Sequence, residues 1–345
     1  MPNYFENINA QDAVCKILQS QIQADKISHA YLFVGPAGCG KLKVAKALAK
    51  SVQGENSVSL INSDCHPDVR IYNPQGINTY LVDQIKEIVA DSNLAPISGK
   101  FKFYIIQNAE KLGSSAANAF LKTLEEPNFQ CCFILLANNA SNVLSTIVSR
   151  CQVLNFSALP YDKSIEIVSA ESGAAPDDAK MALNLFGGNT TQAIEFCLDQ
   201  NLLDLHSEVN YTLDNIENFS DWETLQKSND IVLKINEILD VYKQTLEEKT
   251  DELSDVLDSS ALTSLKKQNK RSVSAKQNEL LKLVCSSIKL YIRNIMLGSS
   301  NQDELISTLN VLSEIEQNLS YNINMQNFID VVLLTVKHKG NKNYD

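Results

Sequence analysis

Between residues 30 and 156, short apolar runs alternate with stretches whose apolar residues recur at helical spacing. AYLFVG (30–35) is an apolar run that leads into a glycine-rich loop, and KLKVAKALAKSV (41–52) then places Leu, Val, Ala and Leu on one helical face. VDQIKEIVADSNL (82–94) reads as a second amphipathic helix and KFYIIQN (102–108) as a buried strand. SAANAFLKTLEEP (115–127) predicts a helix with Ser115 as its N-cap and Pro127 as its stop. CCFILLANN (131–139) predicts another buried strand, NVLSTIVSR (142–150) a short helix and CQVLNF (151–156) a strand. Short apolar strands alternating with helices predict a parallel sheet covered on both faces.

After Pro160 the strand signals stop. Residues 161–199 read as three short helices, punctuated by Pro176 and by Gly187-Gly188-Asn189. From about residue 208 onward every pattern is helical. A polar, basic stretch, KKQNKRSVSAK (266–276), interrupts that region. It reads as a solvated helix face or loop, with a weak electrostatic contact to a partner or DNA as the alternative. The predicted layout is an α/β domain over 1–158, a small helical domain over 159–207 and a larger all-α domain over 208–345. In such an open sheet the ligand site lies at the carboxyl ends of the strands.

Composition narrows the class. The chain has 345 residues, 44% of them hydrophobic, which is enough for two or three domains with real cores. No apolar run reaches about 18 residues, so no membrane span is expected. The start, MPNYFENINAQDAVC, carries neither a basic nor an apolar signal region, and a cytoplasmic protein is expected. None of the eight cysteines forms a C-x-x-C pair, and they are expected to be reduced. The net charge of −11 is uneven: residues 1–157 hold 13 Lys+Arg and 12 Asp+Glu, whereas 158–345 hold 17 and 29. Such a chain is a poor stand-alone nucleic-acid binder, so any DNA contact has to be local or shared with other subunits.

The candidate chemistry starts at GPAGCGK (35–41), followed by Leu42. Gly35, Pro36, Gly38, Gly40 and Lys41 have the spacing of a phosphate-binding loop, set between a strand and a helix as that motif requires. Lys41 would sit near the β- and γ-phosphates. A hydrolysing loop has Ser or Thr after the lysine to hold magnesium, and Leu42 has no oxygen to offer. Hydrolysis also needs an acidic residue at a nearby strand end to hold the metal, and a group to orient water. The strand KFYIIQN ends in Gln107 and Asn108, uncharged amides, and Glu110 two residues on reads as an exposed charge at a helix start. Failure at Leu42, Gln107 and Asn108 together predicts that hydrolysis is lost, while binding of ATP or ADP without hydrolysis stays open. Ser149-Arg150-Cys151 follows a short helix. Arg150 reads either as a helix-end cap or surface ion pair, or as an arginine finger offered to phosphates on a neighbouring subunit.

These residues resemble a family. HAYLFVGPAGCGK, NAFLKTLEEP, FILLAN and TIVSRCQVLNF resemble the clamp-loader branch of the AAA+ proteins, the subunits that serve bacterial DNA polymerase III. KLYIRNIML and IEQNLSYNINMQNFIDVVLL resemble the collar domain of that branch, so the likeness covers nearly the whole chain. It implies an AAA+ P-loop domain with a parallel sheet, a helical lid and an all-α collar. It also implies a five-subunit ring in which gamma/tau ATPase subunits and a delta subunit are the partners. That ring opens a sliding clamp and places it on primer–template DNA. This chain would be a member without intrinsic ATPase and with no required cofactor. Arg150, within Ser149-Arg150-Cys151, would then be an arginine finger acting in trans. Asn138 falls near the sensor-1 position, and Gln192 stands where a basic sensor-2 residue is expected. Relatives often carry a four-cysteine zinc module here; only Cys65 remains, directly before His66-Pro67-Asp68, so no zinc is expected. An active gamma/tau-type ATPase and a non-hydrolysing nucleotide-binding subunit remain as alternatives.

Overall fold

The computed structural model describes residues 3–6, 8, 10–75, 79–126, 130–254, 259–296, 302–317, 319 and 324–338. It divides into two compact units, residues 1–167 with 188–190, and residues 168–187 with 191–345.

The first unit is built on five parallel strands: β1 (Ala30–Val34), β2 (Val69–Tyr72), β3 (Lys102–Ile106), β4 (Cys131–Ala137) and β5 (Gln152–Asn155). Their order across the sheet is β2-β3-β4-β1-β5. Residues of β3 and β4 are buried throughout, which is why, apart from Lys102 at the start of β3, their sequences are apolar runs rather than alternating ones. Successive side chains still point to opposite faces. Tyr31, Phe33, Ile105, Ile134 and Leu136 join one core with helices α1 (Asp12–Gln23), α2 (Lys41–Gln53) and α3 (Val58–Asn62). Leu32, Tyr104, Ile106, Phe133 and Leu135 join the other with α4 (Val82–Ser92), α5 (Ser114–Glu125) and α6 (Ser145–Val148). Each fully buried Leu, Ile or Phe contributes about 1.5–3 kcal/mol relative to exposure, so a one-residue register slip on either central strand is strongly disfavoured.

The second unit is helical among its described residues. Helix α7 (Tyr161–Ser172) starts in the first unit and ends in the second. It is followed by α8 (Pro176–Leu185), α9 (Thr190–Leu198), α10 (Gln200–Asn215), α11 (Asp221–Ser254), α12 (Ser259–Met296), α13 (Gln302–Gln317) and α14 (Met325–Lys337). Its core includes Leu205, Val209, Ile231, Ile235, Val284, Ile288, Ile329 and Val332. Among the described residues no helix is long and apolar enough to cross a membrane.

Two local expectations change. The basic stretch 266–276 does not interrupt the helical region; it lies inside the single helix α12. It holds no Gly or Pro, and Asn269 Nδ2 pins it to α11 by bonding Leu246 O at 3.3 Å and Thr250 Oγ1 at 2.8 Å. The side chains of Lys267 and Gln268 lie outside the described residues. Helix α5 begins at Ser114 behind an extended Gly113 with no side-chain cap, so Ser115 is not the N-cap. Pro127, expected to stop that helix, lies outside the described residues. The pattern also passed over α1 and the edge strand β2, whose VRIY is too short and too mixed to announce itself.

Candidate functional site

The loop 35–41 joins the carboxyl end of β1 to the start of α2, and each glycine in it has a physical reason. Gly35 N donates to Ala137 O at 3.1 Å, tying the loop to β4, and a Cβ there would stand 2.6 Å from Phe156 O. Gly38 has φ +74°, and a Cβ would fall 2.4 Å from Thr190 N, whose own Oγ1 donates to Gly38 O at 2.8 Å. Gly40, at φ +93°, is the left-handed N-cap of α2. Gln11, only 2% exposed, latches this loop from the side. Its Nε2 donates to Cys39 O (3.1 Å) and Ser157 O (2.8 Å), and its Oε1 accepts from Ser157 N at 3.1 Å. Nothing in the sequence pattern singles out Gln11.

Lys41 is engaged by the protein itself. Its Nζ donates to Gly35 O, to Pro36 O at 2.8 Å and to Asn138 Oδ1 at 3.3 Å. Asn138 Nδ2 in turn donates to Glu110 Oε1 at 3.2 Å, while Glu110 Oε2 is buried without a partner among the described residues. Burial lowers the Lys41 pKa, with Cys39 and Glu110 opposing that shift. Lys41, Asn138 and Glu110 thus converge beside the strand ends, as the open-sheet rule predicts. Glu110 is not the exposed charge expected from its position; it lies in a 3-10 turn, Ala109–Lys111, half-buried against this cluster.

The other three loop and strand-end positions do different work. Leu42 is partly buried and packs against the apolar core, and its side chain has no oxygen to offer a ligand on the loop. Gln107 is held through its backbone: its N–H donates to Tyr72 O at 2.9 Å and its C=O accepts from the Tyr80 hydroxyl. Asn108 has φ +52°, in the left-handed region that Asn tolerates better than Glu does. The glycines keep the turns of a phosphate loop, while Lys41 Nζ and the N–H groups of Gly35 and Cys39 are bonded within the chain. Leu42, Gln107 and Asn108 supply neither hydroxyl nor carboxylate, so the residues present do not fit a bound magnesium ion.

At the His66-Pro67-Asp68 segment, His66 is buried, with Nε2 3.0 Å from Ser57 Oγ and Nδ1 accepting from Asp68 N at 3.1 Å. The Asp68 carboxylate accepts the backbone N–H groups of Ile97, Ser98 and Gly99, each at 2.7 Å, and the Ser98 hydroxyl at 3.2 Å. Burial pushes its pKa up, but these donors outweigh burial and hold the carboxyl below the usual range. Cys65 is exposed. Among the described residues no three His, Cys, Asp or Glu side chains are placed to hold a metal.

The Ser149-Arg150-Cys151 turn continues from α6 and alternates outward and inward. Arg150 N donates to Ile147 O (3.0 Å) and Cys151 N to Val148 O (3.2 Å). Cys151 packs against the core under α5, where burial pushes its thiol up to about 12. Arg150 faces outward. Its Nε donates to Glu125 Oε1 at 2.8 Å, Nη2 binds the same oxygen, and Nη1 donates to Thr146 O (2.8 Å) and Ser149 Oγ (3.2 Å). The ion-pair geometry is therefore present in the chain as it stands. Gln192 lies in α9 and is counted with the second unit.

Residues 10–160 match the protein family described as DNA polymerase III, delta subunit. The DNA polymerase III subunit delta' of Bacillus subtilis is 32% identical over 209 residues, covering 58% of this chain and 63% of that protein. The DNA polymerase III subunit tau of the same organism is 36% identical over 183 residues, covering 49% of this chain and 32% of that protein. The chain thus spans less than two thirds of the length of either relative. A solved gamma subunit-related protein of DNA polymerase III from Thermotoga maritima has a TM-score of 0.50 at 18% identity, covering 94% of this chain and 99% of that one. These matches bear out the likeness to DNA polymerase III subunits read from the motifs, and the parallel sheet flanked by helices and the helical C-terminal region are those expected with it.

Proposed function

We propose that this relative of the DNA polymerase III clamp-loader subunits is a delta-prime-type subunit, an assembly component that does not itself hydrolyse ATP. Its partners are gamma/tau ATPase subunits and a delta subunit, and through them a sliding clamp and primer–template DNA. The observation that carries this reading is the joint use of Leu42, Gln107 and Asn108. One fills the core, one is held through its backbone at a strand end, and one serves a left-handed turn, while the loop glycines and Lys41 are kept. The scaffold of a nucleotide site persists without the groups that would run its chemistry. The B. subtilis relative named delta' supports the same assignment.

In this reading Arg150 acts on ATP held by a neighbouring ATPase subunit. A guanidinium fork stabilises charge spread over the transferring phosphoryl oxygens, which is where phosphoryl transfer needs it. The α/β domain (1–158) presents the finger, and the helical segments 159–207 and 208–345 serve as lid and collar. Zinc plays no part.

The relative named tau, at 36% identity, favours a second reading as a gamma/tau-type ATPase. Co-purification with cognate gamma/tau and delta subunits, followed by ATPase assays of the isolated chain, separates the two. Joining the complex with no turnover alone supports the delta-prime reading. Magnesium-dependent turnover by the isolated chain selects the other. Metal-independent binding of ATP or ADP is compatible with the first.

A further inference from the structure

We infer that Glu125 is the positioning residue for the Arg150 guanidinium, holding the fork in the orientation it presents to a neighbour's ATP. This rests on the trans-acting role proposed for Arg150.

The contact is specific. One carboxylate oxygen, Glu125 Oε1, takes both Nε and Nη2, so it grips one edge of the guanidinium plane. Nη1 is tied to Thr146 O and Ser149 Oγ on the turn that carries Arg150. Three of the fork's atoms are thereby fixed from two elements, and of its five N–H groups one, on Nη2, is left over among the described residues. An arginine otherwise loses considerable rotamer freedom when it binds an anion; a fork already held in place loses less.

Local helix physics gives no reason for an acid here. Glu125 is the last residue of α5, the end where the helix dipole disfavours negative charge and where Lys122 already supplies the favoured sign. Nor does the fold depend on the pair. The two side chains are 30% and 49% exposed, and ion pairs that exposed contribute little to stability. What the contact does is set where Arg150 points. It joins the two segments NAFLKTLEEP and TIVSRC in one side-chain bond, 25 residues apart in sequence.

As γ-phosphate charge develops, Glu125 faces a second anion competing for the same guanidinium. Its oxygen has to remain an acceptor for Nε while the outer edge turns to phosphate. An acceptor of the same shape without charge should therefore serve nearly as well, and an alanine should not.

The test uses the complete chain assembled with its cognate ATPase and delta subunits, with Glu125→Ala, Glu125→Gln, Arg150→Ala and the double variant Glu125→Ala/Arg150→Ala. Gel filtration checks assembly, and steady-state ATP hydrolysis is read as kcat and KM. Glu125→Ala is expected to lower kcat at the site facing this chain, by up to about 10²-fold, at unchanged KM, since a misplaced catalytic group costs up to that order. Glu125→Gln is expected to recover most of that loss. The double variant is expected to match Arg150→Ala alone, because the two act as one unit. Full activity of Glu125→Ala beside a crippled Arg150→Ala overturns the inference while leaving the finger in place. So does a Glu125→Ala loss that adds to that of Arg150→Ala. Normal hydrolysis by Arg150→Ala instead removes the finger reading itself, and this inference with it.

Discussion

Lys41 Nζ lies 3.3 Å from Asn138 Oδ1, and the same ammonium bonds the carbonyls of Gly35 and Pro36. The lysine of the phosphate loop therefore has a structural occupation within its own chain. Lys41→Ala leaves these acceptors unsatisfied and is expected to cost about 1 kcal/mol of stability, seen as a lower Tm. The same variant is expected to leave ATP hydrolysis by the assembled complex unchanged. A fall in that rate would mean that this loop takes part in turnover.

Leu42 is partly buried and packs against the core. Leu42→Thr returns the hydroxyl that a hydrolysing loop carries, yet it removes apolar contacts. The expected result is a loss of about 1–2 kcal/mol in denaturant unfolding and no ATPase in the isolated chain, because Gln107 and Asn108 still supply no carboxylate. Turnover by the single variant would contradict the account of three joint losses.

Asp68 predicts a pH dependence. Its folded pKa is lowered from 3.8 by the backbone N–H groups of Ile97, Ser98 and Gly99 and by the Ser98 hydroxyl, which together outweigh burial. A depressed carboxyl stabilises the fold above its unfolded pKa, and that contribution is lost as pH falls through the folded value. Stability of the wild type should therefore drop as pH falls below about 3.8. Asp68→Asn should be less stable at neutral pH by about 1–3 kcal/mol, with a flatter acid limb, because the N–H groups of Ser98 and Gly99 that met the lost carboxylate oxygen then face an amide nitrogen. Equal acid limbs in urea melts of the two proteins would rule out this role.

The cysteines report the fold through their reactivity. Burial pushes the thiols of Cys15 and Cys131 up to about 11 and those of Cys151 and Cys285 up to about 12, whereas Cys65 is exposed. With Ellman's reagent at pH 8 the native protein should react first at Cys65, and the buried thiols of Cys15, Cys131 and Cys285 should react only on unfolding. Cys65→Ser removes the fast phase. A fast phase that survives that substitution would place another cysteine at the surface.

Much of this was legible in the chain because local periodicity wrote it. The central strands announce themselves as apolar runs, and the glycine spacing at 35–40 matches the left-handed turns and close approaches found at Gly35, Gly38 and Gly40. What escaped is non-local. Gln11 meets Ser157 across 146 residues, and Asp68 gathers a loop 29 to 31 residues away. No pattern of period 2 or 3.6 encodes such contacts. Glu110 looked like a surface charge because its partner, Asn138, comes from another strand end. Leu42 shows the converse: its chemistry was evident from the residue type, but only packing shows that it has been put to use in the core.

The most direct test of the account is rapid-quench ATP hydrolysis by the complete complex carrying Arg150→Ala, with clamp and primed DNA present. An arginine finger contributes on the order of 10³-fold or more to phosphoryl transfer. The complex is expected still to assemble and bind ATP, while hydrolysis at the one site facing this chain is lost from the burst. An Arg150→Ala complex whose burst keeps its full amplitude and rate would contradict it.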